Sequence, residues 1–130
     1  SVQLAKLPRF LSRRRANAVH FRARLGNSER WTLQRELGES SWFGFSLVLT
    51  PSSGLDRREV LGRLGQAGIE TRPIVGGNFT KNPVMRWLPH SIHGELAHAD
   101  YLDRHGFFVG NQETDLTEAI DHLATILQQL

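Results

Sequence analysis

Apolar residues at the start of the chain recur at about one helical turn rather than in strict alternation. This pattern predicts one long helix over residues 3–25, bent near Pro8. Gly26 and Asn27 supply a stop, because both residue types tolerate the left-handed conformation that closes helices. The apolar positions of the predicted helix are Leu4, Leu7, Phe10, Leu11, Val19, Phe21 and Leu25.

The pattern further along is typical of strands. Residues 42–50 are rich in aromatic and β-branched side chains and end in a Pro-Ser-Ser-Gly turn, which predicts a buried central strand. Residues 69–75 and 107–110 predict two more strands, and residues 31–34 predict a short one.

Helices separate these strands. Asp56, with Glu59 three residues on, has the form of a capping box and predicts a helix that ends at Gly68. One short helical turn is predicted over residues 84–88, and a longer helix over residues 95–105, closed by a glycine.

A last helix follows, capped by Thr114 or Asp115. Strands separated by helices, with long helices at both ends, predict a two-layer α+β domain whose small sheet carries helices mainly on one side. We expect one domain over residues 1–130, made of the helix at 3–25 and an α/β portion at 31–130. The last helix turns Leu116, Ile120, Leu123, Ile126 and Leu127 to the core.

Composition limits the cellular locations and the kinds of site that the chain can have. It contains no cysteine, which excludes disulfides and thiolate metal sites and makes the reducing cytoplasm the simplest location. No apolar stretch approaches the roughly 20 residues that span a bilayer, and the N-terminus lacks the apolar core of a signal peptide. We therefore expect no membrane partner, and the missing initial Met suggests a truncated chain.

The basic excess lies almost wholly in the first 35 residues, although the formal net charge is only +3. Arginines on a helix commonly cover a solvated face or pair across an interface, so we favour these roles over nucleic-acid binding. The arginines of the predicted helix are Arg9, Arg13, Arg14, Arg15, Arg22 and Arg24.

Two charged residues in the predicted strand at 69–75 form the first candidate site. Residues two apart share a face of a strand, so Glu70 and Arg72 point the same way. Over a cavity, Glu70 would accept and Arg72 would donate hydrogen bonds to sugar hydroxyls. The alternative is an ordinary surface salt bridge.

The turn after this strand is the second candidate. Paired glycines let the backbone approach a ligand, and Asn78 and Phe79 add an amide and a ring that suit a polar ring compound. An ordinary turn explains the glycines equally well. Neither the dinucleotide fingerprint nor the Walker spacing is present.

Other reactive residues lack a recognised pattern. His90, His93 and His98 do not have the spacing of a zinc site, and neither Ser41 nor Ser91 lies in a nucleophile elbow. We therefore predict no metal site and no catalytic residue within the chain.

The two lysines also give no cofactor attachment. A lysine that forms a Schiff base needs a desolvated pocket or a cationic neighbour. Lys6 lies on an exposed face of the predicted helix, and Lys81 follows the glycine turn. We expect neither to form a Schiff base with a carbonyl cofactor.

Several spaced motifs occur in a fixed order along the chain. They are Gln3-Leu4-Ala5-Lys6-Leu7, Arg13-Arg14-Arg15-Ala16-Asn17, Ser41-Trp42-Phe43-Gly44-Phe45, Gly68-Ile69-Glu70-Thr71-Arg72-Pro73, Gly77-Asn78-Phe79 and Gly106-Phe107-Phe108-Val109-Gly110-Asn111. Together they resemble the DegT/DnrJ/EryC1/StrS sugar aminotransferase family over essentially the whole chain. Within it, the chain is most similar to the dehydratases that remove the sugar 3-hydroxyl, with plain aminotransferases close behind.

The resemblance implies the small C-terminal domain of a fold-type I homodimer that uses pyridoxal or pyridoxamine phosphate. In that family a large domain binds the cofactor, and the small domain closes over a nucleotide-linked 4-keto-6-deoxy sugar in deoxysugar or O-antigen synthesis. The lysine or histidine that faces the cofactor lies before the start of this chain. The fragment alone is therefore expected to be inactive.

The same resemblance implies substrate contacts for five residues. Glu70 and Arg72 match sugar contacts of the dehydratase branch, and Asn78 and Phe79 match the loop beside them. Asn111 is a weaker candidate, and Gln112 stands where such dehydratases often have a histidine. The rival from another class is a non-catalytic binding or dimerisation module.

Overall fold

The computed structural model describes residues 2–130 as a small antiparallel sheet packed against helices. The helices are α1 (Val2–Leu25), α2 (Arg57–Gln66), α3 (Ala97–His105) and α4 (Thr117–Gln128). The strands are β1 (Trp31–Leu33), β2 (Gly44–Leu49) and β3 (Gly106–Gly110). Short 3-10 turns occupy Pro51–Ser53, Phe79–Lys81 and Pro83–Trp87.

The sheet has the order β1-β2-β3, so the prediction that residues 42–50 hold the central strand is confirmed. Leu47 lies opposite Leu33 on one side and Phe107 on the other. Along β2, buried residues alternate with half-buried ones, as expected of a strand with one face in the core.

One hydrophobic core joins the buried face of the sheet to three helices. The rings of Phe21 on α1 and Phe45 on β2 stack with centroids 4.3 Å apart. Leu64 of α2 and Leu127 of α4 are fully buried in the same cluster. The predicted two-layer α+β architecture, with helices mainly on one side, is confirmed, and α3 lies near part of the other face.

The prediction of a strand over residues 69–75 is wrong. The segment forms a single bridge to β3, in which Arg72 and Phe108 exchange both backbone hydrogen bonds at 2.9 and 2.8 Å. Pro73 has no N–H to continue a ladder, and Val75 has a φ of 52°, which turns the chain away from the sheet edge.

The start of the central strand also differs from the prediction. Trp42 is buried but has a φ of 51°, and β2 begins only at Gly44. The Trp42 indole N–H donates to Oε1 of Glu36 at 3.2 Å, and its backbone N–H donates to Oγ of Ser40 at 2.9 Å. These bonds hold the tryptophan in a tight loop instead of a ladder.

The apolar stripe predicted for α1 is only partly right. Phe21 and Leu25 are buried, whereas Leu4 and Val19 are 67% and 61% exposed. Asn17, a polar residue outside the predicted apolar stripe, is buried instead. Its hydrogen bond to the carbonyl oxygen of Thr114 helps to hold α1 in place.

The two predicted caps have different outcomes. Asp56 accepts a hydrogen bond from the Glu59 N–H at 3.0 Å and caps α2, as predicted. Neither Thr114 nor Asp115 caps α4, because Leu116 is the residue at its start. Asp115, one residue before Leu116, instead accepts hydrogen bonds from the N–H and hydroxyl of Thr117 and forms a turn there.

Candidate functional site

A cavity of about 350 Å³ opens where β2 begins and β3 ends. A wider cavity of about 680 Å³ adjoins it, shares Phe43, Arg72 and Phe108, and extends along Ile74 and Val75. The smaller cavity combines charged groups with aromatic rings, as sites for polar ring compounds do. Its lining residues are Arg14, Phe43, Glu70, Arg72, Phe108, Gly110, Asn111 and Gln112.

Glu70 and Arg72 reach this cavity as a pair. Nη2 and Nε of Arg72 donate to Oε1 of Glu70 at 2.8 and 3.1 Å. The side chains are 75% and 68% exposed, and an ion pair this exposed contributes little to stability. The predicted common orientation is present, although a single bridge to β3 holds the segment in place of a full strand.

Asn111 lines the cavity, but its amide is occupied within the protein. Nδ2 donates to the carbonyl oxygens of Trp42 and Arg14 at 2.9 and 3.1 Å, and Oδ1 accepts from Asn17 at 3.0 Å. The residue is 5% exposed. It therefore fixes the end of β3 against α1, and the exposed Gln112 is the freer amide at the cavity.

Arg14 is a lining residue that the sequence analysis did not single out. Its Nη2 donates to the carbonyl oxygens of Asn111 and Phe43 at 3.0 and 3.2 Å. A usable signal was present, because Arg14 lies three, four and seven residues before three buried positions of α1. Those positions are Asn17, Ala18 and Phe21.

Asn78 and Phe79 are not among the residues that line this cavity. Asn78 is 7% exposed, donates to Oδ1 of Asp100 at 2.7 Å and accepts from the N–H and hydroxyl of Thr80. Phe79 is half-exposed at the start of a 3-10 turn. The structure thus separates the five predicted contacts into two groups, of which one surrounds the cavity and the other holds a loop.

Lys81 belongs to this loop. Its Nζ lies 2.7 Å from Oδ1 of Asp100 and 3.2 Å from Oδ2 of Asp103. The hydrogen bond to Asp100, followed by that to Asp103, raises the pKa of Lys81, so the amine stays protonated. A protonated amine is no nucleophile, and the residue does not fit the role of a Schiff-base lysine.

The two aspartates are shifted in the complementary direction. Lys81, and then the Asn78 amide, lower the pKa of Asp100. The backbone N–H of Asn78, and then Lys81, lower the pKa of Asp103. A Cβ on Gly77, whose φ is 64°, would collide with Oδ1 of Asp103, so the turn requires glycine there.

The described part of the chain has neither a cluster of potential metal ligands nor a membrane-spanning helix. Within residues 2–130, no three histidine, aspartate or glutamate side chains come together as metal ligands. Over the same residues, no helix has both the length and the hydropathy needed to cross a bilayer.

Comparison with known proteins identifies the family. The sequence model of the DegT/DnrJ/EryC1/StrS aminotransferase family matches residues 1–128, and the chain belongs to this family. GDP-4-keto-6-deoxy-D-mannose 3-dehydratase of Yersinia pseudotuberculosis is 48% identical over 128 residues, which are 98% of this chain and 33% of the relative. The resemblance to the dehydratase branch is confirmed.

Solved structures agree with this assignment. GDP-4-keto-6-deoxymannose-3-dehydratase with a trapped PLP-glutamate geminal diamine matches with a TM-score of 0.92 and 45% identity, over 96% of this chain and 33% of that one. A structure of the same dehydratase with bound GDP-perosamine gives 0.92 and 44% over the same shares. The chain thus spans about a third of the length of the relatives it matches.

Proposed function

We propose that this chain is the sugar-facing C-terminal domain of a pyridoxal- or pyridoxamine-phosphate-dependent 3-dehydratase that acts on a GDP-linked 4-keto-6-deoxy sugar. The observation that carries the proposal is the Glu70–Arg72 pair at the rim of a cavity flanked by two aromatic rings. The pair occurs in a chain that is 48% identical to a GDP-4-keto-6-deoxy-D-mannose 3-dehydratase.

In this proposal Glu70 and Arg72 orient the sugar. An ion pair that adds little stability keeps directed donors and acceptors available at the cavity, because only one carboxylate oxygen of Glu70 is used by Arg72. Phe43 and Phe108, with ring centroids 6.1 Å apart, give apolar surface to the sugar ring and exclude water.

The other predicted contacts have more specific roles. Asn111 acts by holding the end of β3 in place, and Asn78 by holding the loop that carries Phe79. Phe79 itself is exposed and available to a ligand that extends beyond the cavity.

The cofactor, when bound, supplies an electron sink for loss of the sugar hydroxyl. Lys81 is tied to two aspartates and Lys6 lies on the exposed part of α1, so neither lysine of the chain fits as its covalent attachment. The attachment residue therefore belongs to a large domain in this proposal. A homodimer and a cytoplasmic location are further parts of it, the latter supported by the absence of cysteine.

The test uses the intact gene product that carries these residues. We expect it to convert a GDP-linked 4-keto-6-deoxy sugar to the 3-deoxy product in the presence of glutamate, as detected by mass spectrometry. An aminated product would show instead that the protein is a sugar aminotransferase of the same family. No reaction with nucleotide sugars would overturn the proposal and favour a binding module.

The role of the pair is tested by Arg72→Ala. Loss of a charge-assisted hydrogen bond costs about 1.5–3 kcal/mol, so the KM or Kd for the nucleotide sugar should rise roughly 10- to 100-fold. Arg58→Ala is the matched control, since Arg58 is an exposed arginine of α2 outside the cavity lining. Unchanged binding by Arg72→Ala would contradict the assignment.

A further inference from the structure

Arg14 is the arginine of α1 whose surroundings stability alone does not explain. Its Nε is buried and makes no hydrogen bond, and among the described residues it is the single buried side-chain nitrogen or oxygen atom in that state. Buried polar atoms are almost always paired, because losing water without gaining a partner costs free energy. The guanidinium that carries this atom belongs to a residue of the cavity lining, so an anion bound in the cavity would offset the cost through its attraction to the charge.

The neighbouring arginines behave differently. Arg13 pairs with Asp115 at 2.9 Å, and Arg15 with Glu39 at 3.4 Å. Arg22 and Arg24, roughly two and three turns beyond Arg14 along α1, also pair with acidic residues. Within residues 2–130, Arg14 has no carboxylate among these ion pairs, and its described partners are two backbone carbonyl oxygens. Its positive charge is therefore held at the cavity without a counter-charge.

The cavity itself favours an anion. Its lining contains two guanidinium groups, Arg14 and Arg72, and one carboxylate, Glu70, which is already paired with Arg72. Two hydrogen bonds to carbonyl oxygens hold the Arg14 guanidinium in one orientation. The ring of Phe43, whose centroid lies 6.0 Å from the guanidinium carbon, adds to this restraint. A preoriented guanidinium in a half-buried setting is well suited to a phosphate or carboxylate.

We infer that Arg14 is a binding residue for an oxyanion, either a phosphate of the nucleotide sugar or a carboxylate of an acidic amino donor. The inference rests on the proposed function for its choice of ligands. It adds to the sugar contacts a charged group, supplied by α1, in the lining of the same cavity.

The test is isothermal titration of the intact gene product with three separate probes, namely inorganic phosphate, GDP and L-glutamate. Arg14→Gln keeps a polar side chain at this position but removes the charge. We expect it to weaken binding of either GDP and phosphate or glutamate by roughly 10- to 100-fold, as for loss of a charge-assisted bond. Arg14→Lys keeps the positive charge but lacks the planar guanidinium, so it should lose less affinity than Arg14→Gln.

Arg13→Gln is the matched control, because Arg13 is the preceding arginine of the same helix and pairs with Asp115 outside the cavity. The affected probe identifies the source of the oxyanion, since GDP and phosphate report a phosphate site and glutamate reports a carboxylate site. A folded Arg14→Gln protein that binds all three probes like the wild type would overturn the inference.

A crystal structure of the wild-type protein with GDP or glutamate covers the case in which Arg14→Gln fails to fold. An anionic oxygen within hydrogen-bond distance of the Arg14 guanidinium is the expected result, and a ligand bound away from it overturns the inference. Failure of the proposed function would look different, because the wild type itself would then bind neither GDP nor glutamate, which would overturn both.

Discussion

The chain contains two regions that are held together by different means. Residues 17–64 and 106–127 contain all of the hydrophobic core, including the stacked rings of Phe21 and Phe45. Between them, residues 65–105 contain one buried residue, Asn78, which is polar. The first region is stabilised by apolar burial, whereas the second depends on hydrogen bonds, ion pairs and turns.

The candidate site lies where the two regions meet. Asn111 reaches the cavity from the core region, Arg14 from the turn of α1 just before it, and Glu70 and Arg72 from the polar region. A site of this kind takes its precise geometry from a rigid frame and its capacity to adjust from a segment with few buried contacts. The difference between the regions can be tested by changing each of them in turn.

The largest effect is expected in the core region, from Phe45→Ala. This change removes the partner of Phe21 and leaves a cavity between α1 and the sheet, so the free energy of unfolding should fall by about 3–5 kcal/mol. Urea denaturation measures the change. Leu37→Ala, at a position 78% exposed, is the control and should stay within about 0.5 kcal/mol of the wild type. A loss of less than about 0.5 kcal/mol, the size of a typical surface change, would show that this stack does not anchor the core.

The next effect concerns the polar bonds inside the core region. Asn17 donates to Asn111, Gln112 and Thr114 and accepts from the N–H of Leu116, so Asn17→Ala leaves several of these groups without a partner. We expect a loss of about 1–3 kcal/mol in the free energy of unfolding.

A double-mutant cycle with Asn111→Ala tests whether the two amides act as one unit. They share a hydrogen bond of 3.0 Å, so the double variant should lose less than the sum of the single losses, by about 0.5–3 kcal/mol. Strict additivity would mean that each amide acts through its backbone partners alone.

Sequence patterns predicted the core region better than the polar region, for a physical reason. Periodic apolar residues place β2, α2 and α4 correctly, because burial of these side chains is what forms those elements. Residues 69–75 have the composition of a strand, yet Pro73 and the positive φ of Val75 limit them to one bridge. In that stretch the local backbone decides the structure, and hydrophobic pattern carries little information about it.

The candidate site could be predicted only in part for a similar reason. The shared orientation of Glu70 and Arg72 followed from residue spacing and is present in the structure. The internal bonds of Asn111 and the place of Arg14 in the cavity depend on contacts 97 residues apart in the chain. No local pattern reports such contacts, although the helical spacing of Arg14 relative to Asn17 placed it near the buried face.

The smallest effect on global stability is expected from Lys81→Gln in the polar region. Lys81 ties the loop to Asp100 and Asp103 on α3, so its loss should speed local hydrogen exchange at Asn78 while the urea midpoint stays close to the wild-type value. Lys6→Gln, on the exposed part of α1, is the control.

The pKa shifts predict how the ion pairs of Lys81 with Asp100 and Asp103 depend on pH. Lys81 and the backbone of Asn78 depress the pKa values of Asp100 and Asp103, so their contribution is present above the unfolded value of about 3.9 and is lost as the pH falls through the lower folded values. The pKa of Lys81 is raised, so its contribution is present below about pH 10.4 and is lost as the pH rises beyond the folded value.

Protection of the Asn78 amide against hydrogen exchange should therefore be flat near neutral pH, after correction for intrinsic exchange, and should fall at both extremes of pH. In Lys81→Gln the alkaline fall should disappear. If Lys81→Gln instead lowered the urea midpoint as much as Phe45→Ala, the polar loop would belong to the cooperative core, and the distinction between the two regions would be wrong.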